Sequence, residues 1–275
     1  MKIKIYGTAA AEGIPGLFCS CKNCERARKY GGKEIRTRSQ TVVDGRLIID
    51  FSADTYLHVL RDGLPLHKIN HCLISHPHSD HLYPEELAMR GKGFATLECE
   101  DSFELYGALE TVAECRETDE NKNVLEQGRV KLNTVKPFEP FCVMDYTVTA
   151  LAADHGIDGS VLYLISDGKK TMLYGHDTGF FPEETFEYLE KNRIKLDFVT
   201  FDCCYALKEC RRGHMGIDAC ADVADRLRKI GAVGENSVLC LNHFSHNVMP
   251  SYEEMLAAAE AKGFILSYDG IEIEV

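Results

Sequence analysis

The sequence predicts an α/β fold in which β-sheets are covered by helices. Strand-like runs alternate with amphipathic helical segments along the 275 residues, and paired strands occur in both halves of the chain. One hairpin signal is Asp44-Gly45 between two apolar runs, and the other is Asp167-Gly168. No repeat, low-complexity tract or Pro/Ser-rich linker divides the sequence. We therefore expect a single domain over residues 1–275.

Each element is predicted from its own residue pattern. Strands are expected where apolar residues alternate or run together, and helices where they recur at helical spacing. Pro84 and Pro182 stand where proline is tolerated in the first turn of a helix. The predicted strands are residues 1–7, 41–43, 47–49, 72–74, 146–151, 161–165, 171–174, 198–201, 238–241 and 264–267, and the predicted helices are 53–61, 84–89, 183–191, 218–230 and 252–261.

The composition, 45% hydrophobic and 27% charged, is that of an ordinary soluble protein. The formal net charge of −12 argues against extended binding to nucleic acid, which needs a basic surface. No apolar run approaches the roughly 18 residues of a membrane span, and the first residues lack the apolar region of a signal peptide. We expect a cytoplasmic protein that acts without a membrane, and the frequency of twofold dimers favours a homodimer.

The chain contains twelve cysteines. In the expected cytoplasmic location reduced thiols are favoured over disulfides. Free cysteine behaves as a small hydrophobe, so plain burial is predicted for most of those outside the clustered motifs. These are Cys72, Cys99, Cys115, Cys142, Cys220 and Cys240.

The most informative segment is Ser75-His76-Pro77-His78-Ser79-Asp80-His81, directly after the strand predicted at 72–74. Imidazole and carboxylate groups suit zinc, manganese or iron. A polar surface turn is the alternative, but four such groups within six residues after an apolar strand favour a site for two ions. The four potential ligands are His76, His78, Asp80 and His81.

Two ions need more ligands than one loop supplies, so other strand ends should contribute. Asp154-His155, His176-Asp177 and Asn242-His243 each follow a predicted strand. Any one of these pairs alone would be interpreted as a capping residue or a hydrogen-bonded histidine. Their repeated placement after separate strands favours ligands, and an aspartate such as Asp177 can bridge two ions.

These residues resemble the metal set of the metallo-β-lactamase fold. The resemblance implies an αββα sandwich of two mixed β-sheets flanked by helices. Asp50, which closes the strand at 47–49, matches the family's aspartate at a strand end near the site and is expected to orient ligands. The implied ligands are His76, His78 and His155 for one ion and Asp80, His81 and His243 for the other, with Asp177 bridging.

A second motif, Cys19-x-Cys21-x-x-Cys24, follows a Gly/Pro-containing loop at 7–18. Three thiolates at this spacing can occupy three corners of a tetrahedral zinc site. His246 lies three residues after His243 and is the candidate fourth ligand. A buried cysteine cluster or a redox pair is the alternative interpretation.

Residues 7–15, the cysteine motif and Asn242-His243-Phe244-Ser245-His246 narrow the resemblance to the phosphoribosyl cyclic phosphodiesterases of bacterial phosphonate breakdown. The ending at 268–273 also fits that family. The resemblance implies a small phosphodiester substrate, two divalent ions (Mn or Zn, with Fe or Ni as further options) and one structural Zn. A protein of pyrroloquinoline quinone biosynthesis has a similar cysteine loop, so the loop does not decide the chemistry.

His214 matches a histidine of the phosphodiesterase family that lies in the active site without binding metal. A protonated histidine there would act as general acid for the leaving oxygen, and we count it as catalytic together with Asp80. An exposed loop histidine is the alternative. Arg211 and Arg212 are candidates for phosphate contact, whereas the basic stretch at 26–38 is interpreted first as a solvated helix and loop.

The sequence therefore predicts a dinuclear metal-dependent hydrolase, foremost a phosphodiesterase of small (cyclic) phosphodiesters that uses a metal-bridging hydroxide. The alternatives are an oxygenase-type biosynthetic protein like that of the quinone pathway, a tRNA-processing nuclease and a non-catalytic binding protein. Metal analysis and a comparison of oxygen consumption with phosphodiester hydrolysis separate the oxygenase-type protein from the phosphodiesterase.

Overall fold

The computed structural model describes residues 1–98 and 101–275. Fourteen strands in these residues form two seven-stranded sheets. The strands are β1 (Lys2–Gly7), β2 (Gln40–Val43), β3 (Leu47–Ile49), β4 (His71–Leu73), β5 (Phe103–Gly107), β6 (Val130–Thr134), β7 (Pro140–Val143), β8 (Tyr146–Ala152), β9 (Val161–Ser166), β10 (Thr171–Gly175), β11 (Phe198–Asp202), β12 (Val238–Asn242), β13 (Ile265–Leu266) and β14 (Ile271–Glu274).

Seven α-helices and four short 3₁₀-helices accompany these strands in the described part of the chain. The α-helices are α1 (Lys22–Tyr30), α2 (Thr55–Asp62), α3 (Leu109–Glu117), α4 (Lys122–Glu126), α5 (Glu183–Lys191), α6 (Ile217–Lys229) and α7 (Tyr252–Ala261). The 3₁₀-helices are Gly32–Glu34, Leu66–Lys68, Pro84–Arg90 and Asp119–Asn121. None of the described helices has the length and apolar character that crossing a membrane requires.

Both sheets are mixed, with the strand order β14-β1-β2-β3-β4-β5-β6 in the first and β13-β12-β11-β10-β9-β8-β7 in the second. In the first sheet β3 to β6 are parallel and the strands from β14 to β3 are antiparallel. In the second, β10 to β13 are parallel and β7 to β10 are antiparallel. The predicted class, two mixed sheets flanked by helices, is confirmed.

The apolar side chains form three layers, as an αββα sandwich requires. The middle layer joins the inner faces of the two sheets; Ile3 and Ile5 of β1 and Tyr163 of β9 are fully buried there. One outer layer packs α5, α6 and α7 on the second sheet and includes Ala27 of α1. The other packs α2, α3, α4 and the 3₁₀-helices Leu66–Lys68 and Pro84–Arg90 on the first sheet. Because strand side chains alternate, the inner face of β1 is apolar whereas Lys2 and Lys4 face outward.

Every predicted strand and helix has a counterpart, with one change of type. Residues 84–89 were expected as an α-helix, but Pro84–Arg90 is a 3₁₀-helix. The strands β5, β6, β7 and β14 and the helices α3 and α4 were not predicted, and α1 was anticipated only as the helix of the basic stretch at 26–38. The strand β6 shows why, because its five residues alternate only weakly between buried and exposed and contain no apolar run.

Two further sequence interpretations need correction. Cys142 was expected to be buried but is exposed, because it lies on the outward face of the edge strand β7. Arg36 was expected in a solvated segment but is buried; it donates to Thr8 Oγ1 at 2.8 Å and to the Ser267 carbonyl at 2.9 Å. The buried cysteines are confirmed at Cys72, Cys115, Cys220 and Cys240, and Cys99 lies outside the described residues.

The ends of strands from both sheets meet at one edge of the sandwich. The loop after β4 carries Ser75, whose carbonyl oxygen accepts from Val161 N at 3.0 Å, so the two sheets are joined there by a backbone hydrogen bond. The segments after β3, β8, β10, β11 and β12 reach the same edge. Functional side chains commonly lie on such loops, because the strands hold them without constraining their side-chain direction.

Candidate metal centre

The first group of potential ligands consists of His76, His78, His155 and Asp177, whose ligand atoms lie within 4.8 Å of one another. His78 Nδ1 is 3.0 Å from His76 Nε2 and 3.2 Å from His155 Nε2. Four ligands about 2.1 Å from a tetrahedral zinc lie about 3.4 Å apart. The spacing of these atoms therefore fits one ion.

A second group, Asp80, His81, Asp177 and His243, lies beside the first. His81 Nε2 is 3.3 Å from both His243 Nε2 and Asp80 Oδ2. Asp80 Oδ2 is 3.5 Å from His243 Nε2. The two groups together contain every residue that the sequence analysis named for the two ions.

Asp177 belongs to both groups. Its Oδ2 is 3.1 Å from His76 Nε2 and 2.7 Å from His81 Nε2. Its Oδ1 and the Nδ1 of His243 are both buried and lie 3.3 Å apart, but neither atom makes a hydrogen bond with acceptable geometry. Because an unpartnered buried polar group is costly, these orphaned atoms fit a site that holds cations.

The electrostatics of the site favour positive charge. Burial alone would lower the pKa of His81, but Asp50, Asp80 and Asp177 raise it well above its ordinary value. Burial would likewise raise the pKa of Asp177, but His243 and His81 hold it well below the ordinary range, so this carboxylate is ionised. Ionised carboxylates among imidazoles are a donor set suited to zinc and other transition metals.

Three residues of the site have a left-handed backbone. The φ angles are 67° at Asp50, 48° at Asp177 and 62° at His243. Such angles are uncommon outside glycine and cost of order 1–3 kcal/mol each. Asp50 and His243 directly follow β3 and β12, so the chain turns sharply where each strand ends.

Asp50 orients His81 from the side away from the ligand group. Its Oδ2 lies 2.7 Å from His81 Nδ1 and accepts from Tyr174 Oη at 2.7 Å, while its Oδ1 accepts from Ser75 N at 2.9 Å. A carboxylate acceptor at Nδ1 places the ring proton there, which leaves the Nε2 lone pair for a metal. The expectation for Asp50 agrees with this geometry.

His155 is oriented in a similar way by a backbone carbonyl. Its Nδ1 lies 3.2 Å from the Gly213 oxygen, so Nδ1 donates and Nε2 faces His78. Asp154 fixes the same loop, because its Oδ2 accepts from Gly213 N at 3.3 Å and Arg212 Nε at 3.1 Å. Asp154 therefore positions the loop beside the ligands and belongs to neither ligand group.

His214 lies at the edge of the two groups. Its ring centroid is 5.2 Å from that of His155 and 5.8 Å from that of His243. Its Nδ1 is 2.8 Å from Asp202 Oδ2, which leaves Nε2 as the ring nitrogen available to a substrate. Burial lowers the pKa of His214, but the carboxylates of Asp202 and Asp177 outweigh it and raise the pKa, which favours the protonated form.

The sequence analysis missed Asp202 and Cys204. Both belong to further groups of potential ligands that include His214 and His243. Asp202 is fully buried at the end of β11, and its Oδ1 accepts from Cys204 N at 2.9 Å. The sequence contained a feature that could have identified Asp202, because this aspartate directly follows a predicted strand, as Asp50 does.

His176 and Arg211, two residues that the sequence singled out, are engaged elsewhere. His176 Nε2 lies 3.1 Å from Asn242 Nδ2, and His176 belongs to no ligand group. Arg211 pairs with Asp222 and lies over the Phe180 ring at 4.9 Å. Arg212, by contrast, has a side chain that is 89% exposed beside the site.

The cysteine cluster is a separate group of Cys19, Cys21, Cys24 and His246. His246 Nδ1 lies 3.6 Å from Cys19 Sγ and 3.5 Å from Cys21 Sγ. Burial would raise the pKa of Cys21, but hydrogen bonds from the Cys24 backbone and His246 lower it to about 6, so the thiolate is favoured at neutral pH. Three thiols and an imidazole are a donor set of structural zinc sites.

Comparisons with solved structures agree with the architecture. Zn(2+)-bound PqqB from Methylobacterium extorquens superposes with a TM-score of 0.79, at 20% identity over 100% of both chains. A diphosphatase from the PhnP family gives 0.74, at 21% identity over 100% of this chain and 97% of the other. Human tRNase Z, short form, gives 0.66, at 17% identity over 100% of this chain and 99% of the other. At these identities the likeness concerns the fold alone.

Among curated proteins, an octanoyltransferase of Porphyromonas gingivalis (strain ATCC BAA-308 / W83) is 25% identical over 285 residues. The match covers 99% of this chain and 51% of that protein, so the chain spans about half the length of this relative. The model of the beta-lactamase superfamily domain matches residues 46–244, which is most of the chain and includes the segments from β3 to His243. The chain belongs to the beta-lactamase superfamily.

Proposed function

We propose that the chain is a dinuclear metal-dependent hydrolase of small phosphodiesters. The observation that carries this proposal is the single carboxylate shared by the two ligand groups, with Asp177 Oδ2 at 3.1 Å from His76 Nε2 and 2.7 Å from His81 Nε2. Two ions held there would supply a hydroxide nucleophile at neutral pH and neutralise phosphoryl oxygens. A diphosphatase of the PhnP family shares this fold, and its name denotes hydrolysis at phosphorus, which is the type of reaction proposed here.

The chain's own residues then act in separate roles. His76, His78 and His155 would hold one ion, and Asp80, His81 and His243 would hold the other, with Asp177 as a ligand shared by both groups. Asp50 keeps the His81 proton on Nδ1. The metals we propose are Mn or Zn in this site, with Fe or Ni as further options, and one structural Zn at Cys19, Cys21, Cys24 and His246.

His214 is the proposed general acid. A hydroxide derived from water forms a bond to phosphorus as the bond from phosphorus to the leaving oxygen breaks. The departing oxygen takes a proton from His214 Nε2, and the proton released when water becomes hydroxide replaces it. Asp202 at 2.8 Å from Nδ1 stabilises the protonated ring. Arg212 leaves its terminal amino groups exposed at the rim, where they are free to contact a substrate phosphate.

An oxygenase-type biosynthetic role is the second candidate. PqqB gives the TM-score of 0.79 quoted above and was solved with Zn(2+) bound. We do not propose the tRNA-processing activity that the name of tRNase Z indicates, because a net charge of −12 disfavours binding to RNA. The octanoyltransferase activity belongs by name to a protein of about twice this length.

We further propose that the protein is a cytoplasmic homodimer that acts without a membrane.

Asp80→Ala tests the proposed reaction. With Mn²⁺ or Zn²⁺ loaded, the wild type should hydrolyse bis(p-nitrophenyl) phosphate, and the variant should lose at least about 10²-fold in kcat/KM and one bound ion, because an active-site ligand is gone. Asp119→Ala, a change at an exposed aspartate, is the control and should behave as wild type. Oxygen consumption by the wild type without diester hydrolysis would instead establish the oxygenase-type role.

Cys21→Ser tests the structural zinc. The variant should lose one zinc per chain and several kcal/mol of stability, about 10 °C in melting temperature, because structural zinc contributes directly to folding free energy. Cys142→Ser, a change at an exposed cysteine, should alter neither quantity. Unchanged zinc content in Cys21→Ser by elemental analysis would refute the assignment.

His214→Ala separates acid catalysis from metal binding. The variant should keep both active-site ions and lose roughly 10²–10⁴-fold in rate on a diester with an alkyl leaving group. The loss should be much smaller with a p-nitrophenolate leaving group, which departs without a proton. Equal losses on both substrates would indicate phosphate positioning, and loss of an ion would make His214 a ligand. His67→Ala, at an exposed histidine, is the control.

A further inference from the structure

The backbone of Asp50 is held by two hydrogen bonds. Its N–H donates to the Leu73 carbonyl at 2.8 Å, and its carbonyl accepts from Gln40 Nε2 at 3.0 Å. The first bond links the end of β3 to β4 through backbone atoms, so it does not depend on which side chains the two residues carry. The second comes from a side chain, so it depends on the identity of residue 40.

Gln40 is the first residue of β2 and is fully buried. The second hydrogen of its amide is donated to Thr55 Oγ1 at 2.8 Å, and its Oε1 accepts from His58 Nδ1 at 2.6 Å. Thr55 Oγ1 donates its own hydrogen to the Ser52 carbonyl at 2.7 Å and can therefore only accept from Gln40. The amide can satisfy all these partners in one orientation only.

His58 completes this arrangement from α2. Its ring is fully buried, and burial lowers its pKa to about 4, so it is neutral at pH 7. With the proton on Nδ1 for Gln40, Nε2 lies 2.8 Å from Thr37 Oγ1, which also lies 2.7 Å from Asp269 Oδ2. The amide of Gln40 is thus held against the Asp50 carbonyl by Thr55 and His58, neither of which belongs to a ligand group.

We infer that Gln40 is a positioning residue for the ion held by Asp80, His81 and His243, because it maintains the left-handed backbone that aims the Asp50 carboxylate at His81. The φ angle of 67° is unfavourable for Asp50, which has a Cβ atom that glycine lacks. This backbone conformation places the Asp50 carboxylate 2.7 Å from His81 Nδ1. Gln40 acts on that ion through Asp50 and His81 and touches no reacting atom. The inference rests on the proposed metal centre.

Gln40→Met keeps the side-chain length and removes both polar atoms. We expect the dissociation constant of the second ion to rise roughly 10–100-fold, the range for partners that orient a ligand. The first ion and the cysteine-bound zinc should change less than about threefold. Equilibrium dialysis against a chelator series, with Zn²⁺ as the probe, measures all three constants. Gln127→Met, at the chain's other glutamine, is the matched control.

Thr55→Val is a milder variant in case Gln40→Met fails to fold. It removes only the acceptor for one amide hydrogen, and a smaller rise of roughly 3–10-fold is expected for the second ion. In ¹⁵N-labelled protein, the Nδ1 proton of His81 should exchange faster with water in both variants. Gln40→Glu should also weaken binding of the second ion, because its carboxylate places an oxygen, which cannot donate, against the Asp50 carbonyl.

The inference is overturned if the second ion binds within twofold of wild type in Gln40→Met, or if all three ions weaken in parallel with a loss of stability. If the wild-type protein does not bind a second ion, both the inference and the proposed dinuclear metal centre are wrong. A wild type that binds both ions but hydrolyses no phosphodiester overturns the proposed function and leaves the positioning role of Gln40 to be read from the binding constants.

Discussion

The buried carboxylate of Asp177 is the group on which the site depends. It stands between His76 and His81 in a backbone conformation that costs free energy, and its second oxygen has no hydrogen-bond partner. Strain and an unpartnered oxygen are tolerated in a folded protein when another interaction offsets them. Cations held between the two ligand groups, as we propose, would provide that interaction, because they would bind both the carboxylate and the imidazoles around it.

The two sheets and the cysteine cluster serve this arrangement together. His243 and His246 are three residues apart, so the loop after β12 belongs to both groups of ligands. Phe244 between them donates from its N–H to the Thr8 carbonyl at 2.9 Å, and its own carbonyl accepts from Ala10 N at 3.0 Å. The loop that carries the cysteines is thereby tied to the segment that holds His243, and a zinc in the cluster would fix both.

Much of the fold and the ligand groups could be predicted, because their signals are local. Strand alternation, turn dipeptides and the spacing of His76 to His81 need no knowledge of distant residues. Arg36, Gln40 and Asp202 could not be assigned in the same way. A buried arginine or glutamine depends on partners far along the chain, such as Ser267 for Arg36, and no single-sequence pattern shows those pairings. Asp202 had a local signal, but a strand-end aspartate is too common to assign alone.

The most direct test is a crystal structure of the metal-loaded protein with anomalous difference maps recorded at the absorption edges of manganese and zinc. We predict two peaks on either side of the Asp177 carboxylate, one bound by His76, His78 and His155 and the other by Asp80, His81 and His243. A third peak, for zinc, should lie among Cys19, Cys21, Cys24 and His246. A single peak at Asp177, or none, would contradict the shared carboxylate on which the proposed function rests.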